Sequence, residues 1–232
     1  MFIITWLKKQ NLREIIVILS VTVAWNMVAY YGSRLIASSW HHYDITTEFD
    51  RSIPLMPWTI IIYFGCYLHW AANYLICAAH NSREKYRFFT AEMLAKGISM
   101  LIFLLIPTTA IRPQITGTGL WNDLMRLLYT IDSADNLLPS LHCVASWFCW
   151  IGIRKRKDIP AFYRYFSLVF ALAVCVSTLT TKQHVILDVI VGVLLAEVCY
   201  LIAGIPKLRG AYESMIGKIL NKVQKPSADK EA

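Results

Sequence analysis

Three short segments of this sequence carry side chains able to do chemistry on an anion. His184 and Asp188 are four residues apart, so on a helix they share one face and touch. An aspartate that accepts the Nδ1 proton of this histidine leaves Nε2 as a free lone pair, the state required of a nucleophile. His142 opens another apolar segment, just after Pro139, Ser140 and Leu141, and a second imidazole within reach would protonate a leaving oxygen. Arg112, followed by Pro113, is a permanent cation whose fork of donors matches phosphate oxygens. Ser140 falls in the first turn of its helix, where unpaired N–H groups and the helix dipole favour an anion. Together these parts would hold a tetrahedral, doubly charged group. Each also has a structural reading: a hydrogen bond within one helix, a proline-serine cap, an arginine anchored at a membrane boundary. The argument rests on their conjunction.

The elements that must position these residues are hydrophobic. The chain has 232 residues, of which 56% are hydrophobic and 16% charged, and the apolar residues come in long blocks. A bilayer core of about 30 Å needs roughly 20 apolar residues per helix. Six stretches approach or reach that length: Ile15 to Ile36, Trp58 to Ala79, Phe88 to Ile106, Leu137 to Ile153, Phe162 to Leu179 and Val185 to Ala203. The composition therefore predicts an all-α integral membrane protein, a bundle of six transmembrane helices. The first stretch is too long for a signal-peptide core and is expected to be retained. All six cysteines fall inside the spans and are expected to be packing residues.

Basic residues sort by side. If the loops alternate, one side holds Lys8, Lys9 and Arg13, the run from Arg83 to Arg87, Arg154 to Lys157 with Arg164, and the basic residues from Lys207 onward. The other side holds only Arg34, Arg51, Arg112, Arg126 and Lys182, with Lys96 inside the third span. By the positive-inside rule both termini are cytoplasmic. The three chemistry-bearing segments then emerge together on the extracytoplasmic face. A net charge of +8 held in short loops beside apolar helix ends points to anionic headgroups rather than nucleic acid. Residues 1–210 read as the membrane domain. Residues 211–232 read as a cytoplasmic tail, amphipathic from Ala211 to Val223 and disordered from Lys225 to Ala232. Between the third and fourth spans, Trp121, Leu124, Met125 and Leu128 predict a short interfacial helix.

The motifs resemble those of the type 2 phosphatidic acid phosphatase superfamily, whose signature is Lys-x6-Arg-Pro, then Pro-Ser-Gly-His, then Ser-Arg-x5-His-x3-Asp. Here the three read Leu105-x6-Arg112-Pro113, Pro139-Ser140-Leu141-His142 and Ser177-Thr178-x5-His184-x3-Asp188, all within residues 105–192. The resemblance implies a membrane enzyme that acts on lipid phosphates without a cofactor or metal. His184 would form a phosphohistidine, Asp188 would orient it, and His142 would protonate the leaving group. Two cations of the family's phosphate cradle are replaced, by Leu105 and Thr178, and Lys182 is the candidate to supply one of them. The wording around the motifs, Asp132-x3-Asn136-x2-Pro139 and Thr181-Lys182-Gln183-His184, looks like the branch of inositol phosphorylceramide synthases, which move a phosphorylated headgroup onto a lipid alcohol.

The reading drawn from the sequence is hydrolysis of a lipid phosphate ester at the extracytoplasmic leaflet of a membrane, the cell membrane being the expected one. Two alternatives stand beside it, transfer to a lipid alcohol and a catalytically idle lipid-binding relative. Asp132 and Asn136 are candidate headgroup or acceptor contacts, with local turn and cap bonding as their structural alternative. His41, His42 and Asp44 lack dependable metal-ligand spacing. His69 with Asn73, and Glu92 with Lys96, are spaced for contacts within one helix. Partners beyond substrate and membrane lipids, and the oligomeric state, are not legible.

Overall fold

The computed structural model describes residues 11–224, so the expected disordered segment from Lys225 onward lies outside the described residues. Helix α1, Leu12–Ala37, contains a π-helical turn at Val28–Gly32, and its first turn is capped by Asn11. After the short α2 (Glu48–Ser52), α3 (Pro57–Ala78) and α4 (Ser82–Leu105) form a hairpin whose second arm is capped by Asn81. Then follow α5 (Leu120–Ile131), α6 (Leu141–Ile153), α7 (Ala161–Thr180), α8 (Ile186–Ile202) and α9 (Pro206–Gln224).

Each expected span coincides with a helix, the largest offsets being at the third, which begins six residues early at Ser82, and at the fourth, which begins four residues late. That segment, expected from Leu137, is helical only from Leu141, because Pro139 has no N–H to donate and Ser140 caps the helix. Helices α1, α3, α4 and α7 are long and apolar enough to cross a membrane, while α8 qualifies only together with α9, from which it is bent by 90°. Helix α6 has 13 residues and spans ~20 Å, short of a ~30 Å hydrocarbon core. The fold is thus that of a multi-pass membrane protein.

Helix α6 sits at the centre, packed against α3, α4, α7 and α8. Phe148 of α6 meets Phe88 of α4 edge to face at 5.6 Å, and Ile151, Ile153, Phe89 and Ala196 close the core around them. All six cysteines are buried and unpaired, as packing residues should be. His69 and Asn73 bond within the bundle as expected, His69 Nε2 to Ser167 Oγ at 2.9 Å and Asn73 Nδ2 donating to the Tyr163 hydroxyl at 3.2 Å.

The amphipathic tail helix behaves differently from the expectation of a segment resting on lipid. It begins at Pro206, and its apolar face is turned onto α1 and α4, with Tyr212 and Ile216 buried in the main core. Burying that face against protein removes the same apolar area from water as a lipid contact would.

At the opposite end from this tail, four connecting segments are knitted together. Tyr43–Asp44 pairs in parallel with Thr108–Thr109, and Thr109 bridges to Asp135. The Thr108 hydroxyl accepts from the N–H groups of Leu137 and Leu138. Asp50 Oδ1 accepts from Ile186 N at 2.8 Å, so the α1–α3 connection caps the first turn of α8. Helix α5 forms where expected and buries Met125 and Leu128 against Ile60 and Tyr63 of α3.

Candidate active site

This knitted end contains a cavity of about 250 Å³ whose wall includes Arg112, Asp132, His142 and His184, residues from four separate stretches of chain. His184 precedes α8 by two residues, and Asp188 lies in the first turn. Their contact forms, His184 Nδ1 to Asp188 Oδ2 at 3.2 Å, but from the segment ahead of the helix and not across one helical face as the spacing predicted. The same carboxylate oxygen accepts from Val185 N at 2.9 Å, and Asp188 is fully buried, so the pair is fixed in one geometry. With Nδ1 engaged, Nε2 is the atom of His184 left to react.

His142, the second residue of α6, has its ring centroid 6.0 Å from that of His184. It stands among three aromatic rings of α3: Tyr63 at 4.5 Å, Trp70 at 5.4 Å and Tyr67 at 6.2 Å between centroids. The two imidazoles are held together by a close approach of their helices. Ser140 N donates to the Asp188 carbonyl at 3.1 Å, and a Cβ on Gly192 would meet the Ser140 carbonyl oxygen at 2.9 Å. Gly192→Ala is therefore expected to push the start of α6 away from α8. Turnover should fall by about 10- to 100-fold for a stability loss of about 1–3 kcal/mol, read by assaying activity and thermal unfolding on the same preparation.

Arg112 lies over the Tyr129 ring and donates to the carbonyl oxygens of Asp132 and Ser133 and to Gln183 Oε1. Three of its five donors are thus spent on the protein, and the guanidinium is held still. Its Nε is buried without a partner, and so is Nε2 of Gln183 on the same wall. Two residues of the cavity wall thus each keep a buried donor without an acceptor, an arrangement that suits a ligand bringing acceptor oxygens.

Asp132 accepts from the hydroxyls of Tyr30 at 2.6 Å and Tyr63 at 3.0 Å. Burial raises its pKa, but His142, the two tyrosine hydrogen bonds and His184 outweigh that and hold the carboxyl below the usual range. Tyr63 links this carboxylate to His142, its hydroxyl lying 3.5 Å from Nδ1. Asp132 is thereby a neighbour of the second imidazole.

Three sequence candidates have their side chains engaged by the protein itself. Ser140 is fully buried, and its hydroxyl accepts from Cys143 N, so it caps α6 and does not line the cavity. Lys182 lines a second cavity together with Asp50, Arg51 and His184, with Nζ donating to the Asp50 carbonyl at 2.8 Å. It does not replace the missing cradle cations in the space shared by the imidazoles. Asn136 reaches the cavity wall, but its Nδ2 donates to Tyr30 O and Ser33 Oγ and pins the loop to α1. His42 bonds locally to the Trp40 carbonyl, and among the described residues no three His, Cys, Asp or Glu side chains converge where an ion would sit.

The sequence reading missed Tyr30, Gln183 and the aromatic wall. Tyr63, Tyr67 and Trp70 recur at i, i+4 and i+7, a signal present in the sequence but shared by any packed or lipid-facing stripe.

A sequence model of the PAP2 superfamily matches residues 42–202, well over half of the chain. The chain belongs to the PAP2 superfamily. Members of the PAP2 superfamily are lipid phosphatases or phosphotransferases, and that is the kind of activity this membership supports. No individual curated protein matches the chain. The PAP2 match covers Arg112, His142, His184 and Asp188, the four side chains whose convergence the motifs require.

Proposed function

We propose that this PAP2 protein cleaves the phosphate ester of a membrane lipid through a covalent intermediate on His184. The supporting observation is the pairing of a carboxylate-oriented imidazole with a second imidazole across one cavity. In the first step His184 Nε2 bonds to phosphorus as the P–O bond to the leaving group breaks, and His142 gives its proton to that oxygen. In the second step the acceptor oxygen bonds to phosphorus, its proton passes to His142, and the P–N bond breaks to restore His184. Arg112 and Gln183 hold the non-bridging oxygens. No metal enters these steps.

With water as acceptor this is hydrolysis. A specific feature favours the second reading, transfer to a lipid alcohol. Asp132 and Asp135 share the cavity with Arg112, most of whose donors are already used, and with Lys96, whose charge is offset by Glu92. Such a site suits a singly charged phosphodiester better than a doubly charged monoester. The aromatic and apolar wall of Met27, Tyr67, Trp70 and Leu141 also disfavours water. The test presents phosphomonoester and phosphodiester lipids to purified protein, with and without a lipid alcohol. The expected result is faster consumption of the diester, with headgroup exchange when the alcohol is present. Fast monoester hydrolysis without exchange would remove the transfer reading, and inertness toward both classes would remove the enzyme.

The same reading places the protein in the membrane with six crossings, the cell membrane being the proposed one. Both termini are cytoplasmic and the cavity opens toward the extracytoplasmic leaflet. Its support is the distribution of charge. The turns rich in arginine and lysine, around Arg83 to Arg87 and Arg154 to Lys157, lie at the end of the bundle away from the imidazoles.

A further inference from the structure

The cavity that holds the imidazoles contains one more cation, and no motif points to it. Lys96 of α4 lines the same 250 Å³ space as Arg112, His142 and His184. It is 2% exposed, as is its partner Glu92 one turn away. An ion pair within an apolar helix is costly, and well-packed apolar side chains in its place are often as stable or more so. Packing alone therefore gives little reason for this pair.

The geometry shows which partner has bonding capacity left. Glu92 Oε1 takes a 3.1 Å hydrogen bond from the Tyr74 hydroxyl, whereas Lys96 Nζ stands 3.7 Å from that oxygen, longer than an ordinary hydrogen bond. The ammonium has three donors and is not firmly held by its counter-ion. Its depth also matches the chemistry. Counted from the turn joining α3 to α4, Lys96 lies ~21 Å up α4, and Tyr63, which packs on His142, lies ~22 Å up α3. By contrast Leu105, at the motif position where the family carries its lysine, is 77% exposed and more than two helical turns further out.

We propose that Lys96 is a substrate-binding residue, its ammonium donating to a phosphate oxygen of the lipid from the deep side of the cavity while Arg112 approaches from the loop side. The cation lost at Leu105 is thereby supplied from within the bundle, at a different register of the same helix. Glu92 is the counter-charge nearest the ammonium when no anion is bound.

This inference rests on the proposed phosphate chemistry, so its test reads binding separately from turnover. A short-chain lipid phosphonate, which resists cleavage, is titrated into detergent-solubilised protein by calorimetry. The variants are Glu92→Gln/Lys96→Met, Lys96→Arg and His184→Ala. The double variant removes both charges and avoids leaving Glu92 as a lone buried carboxylate. It should unfold at a temperature close to that of the parent and bind the phosphonate about ten- to a hundred-fold more weakly. Lys96→Arg should recover part of the loss, and His184→Ala should bind nearly as the parent does. In turnover assays the double variant should raise KM more than it lowers kcat. Phosphonate binding by the double variant equal to that of the parent would overturn the role of Lys96, as would a parent that does not bind phosphonate. Normal turnover in His184→Ala, with binding still lost in the double variant, would instead overturn the phosphohistidine reading and leave Lys96 standing.

Discussion

His184→Ala should abolish turnover, by about 10⁵-fold, while the protein remains folded. The attacking atom itself is removed, so no water molecule in the same space can substitute for it at a comparable rate. Asp188→Asn should cost about 10⁴-fold, because the carboxamide no longer fixes the tautomer that leaves Nε2 free. The two effects should not add in the double variant, since both side chains serve one attack. Folding is checked by size-exclusion elution and thermal unfolding, because Asp188 also receives the Val185 N–H and its loss would loosen the start of α8. Unchanged turnover in His184→Ala would remove the phosphohistidine step, whereas no turnover in the parent would leave the idle, lipid-binding relative.

His142→Ala has the second largest expected effect, and it depends on the substrate. For an ordinary lipid ester the leaving alkoxide needs a proton, so the loss should be about 10²- to 10⁴-fold. For a nitrophenyl phosphodiester, whose leaving group departs without help, the first step should proceed nearly as in the parent. The second step still lacks its base, so a phosphoamidate on His184 should accumulate, stable to alkali and labile to acid. Mass spectrometry of the intact protein, quenched at alkaline pH, would show the added mass. Equal losses with both leaving groups and no adduct would remove His142 from proton transfer.

Most of the architecture was legible because the bilayer imposes lengths and the helix imposes spacing. The six apolar stretches had to be helices, and a histidine and an aspartate four apart had to meet at the start of one of them. Charge sorting placed Arg112, His142 and His184 at one end before any fold was in view, and they line one cavity. Less legible were the partners that each side chain takes up in the fold. Lys182 is two residues from His184, yet a left-handed backbone conformation, φ 56°, turns it to the Asp50 side. Ser140 seemed free to meet an anion, but a helix start in an apolar setting must first satisfy its own N–H groups. Tyr30, Tyr63 and Lys96 come from helices whose packing no local pattern encodes, and each carries an equally good structural reading when seen on one line of text.

The brevity of α6 has a consequence for how a lipid must arrive. Because this helix begins beside the second and third turns of α3, His142 is sunk among Tyr63, Tyr67 and Trp70 rather than set at the outer end of that helix. A molecule already lying in the leaflet needs only to dip its polar linkage toward its own acyl chains to reach the imidazoles, whereas a dissolved phosphate would have to shed its hydration shell to descend as far. Selection of amphiphiles over soluble esters would then follow from vertical placement, without any contact that recognises a fatty chain.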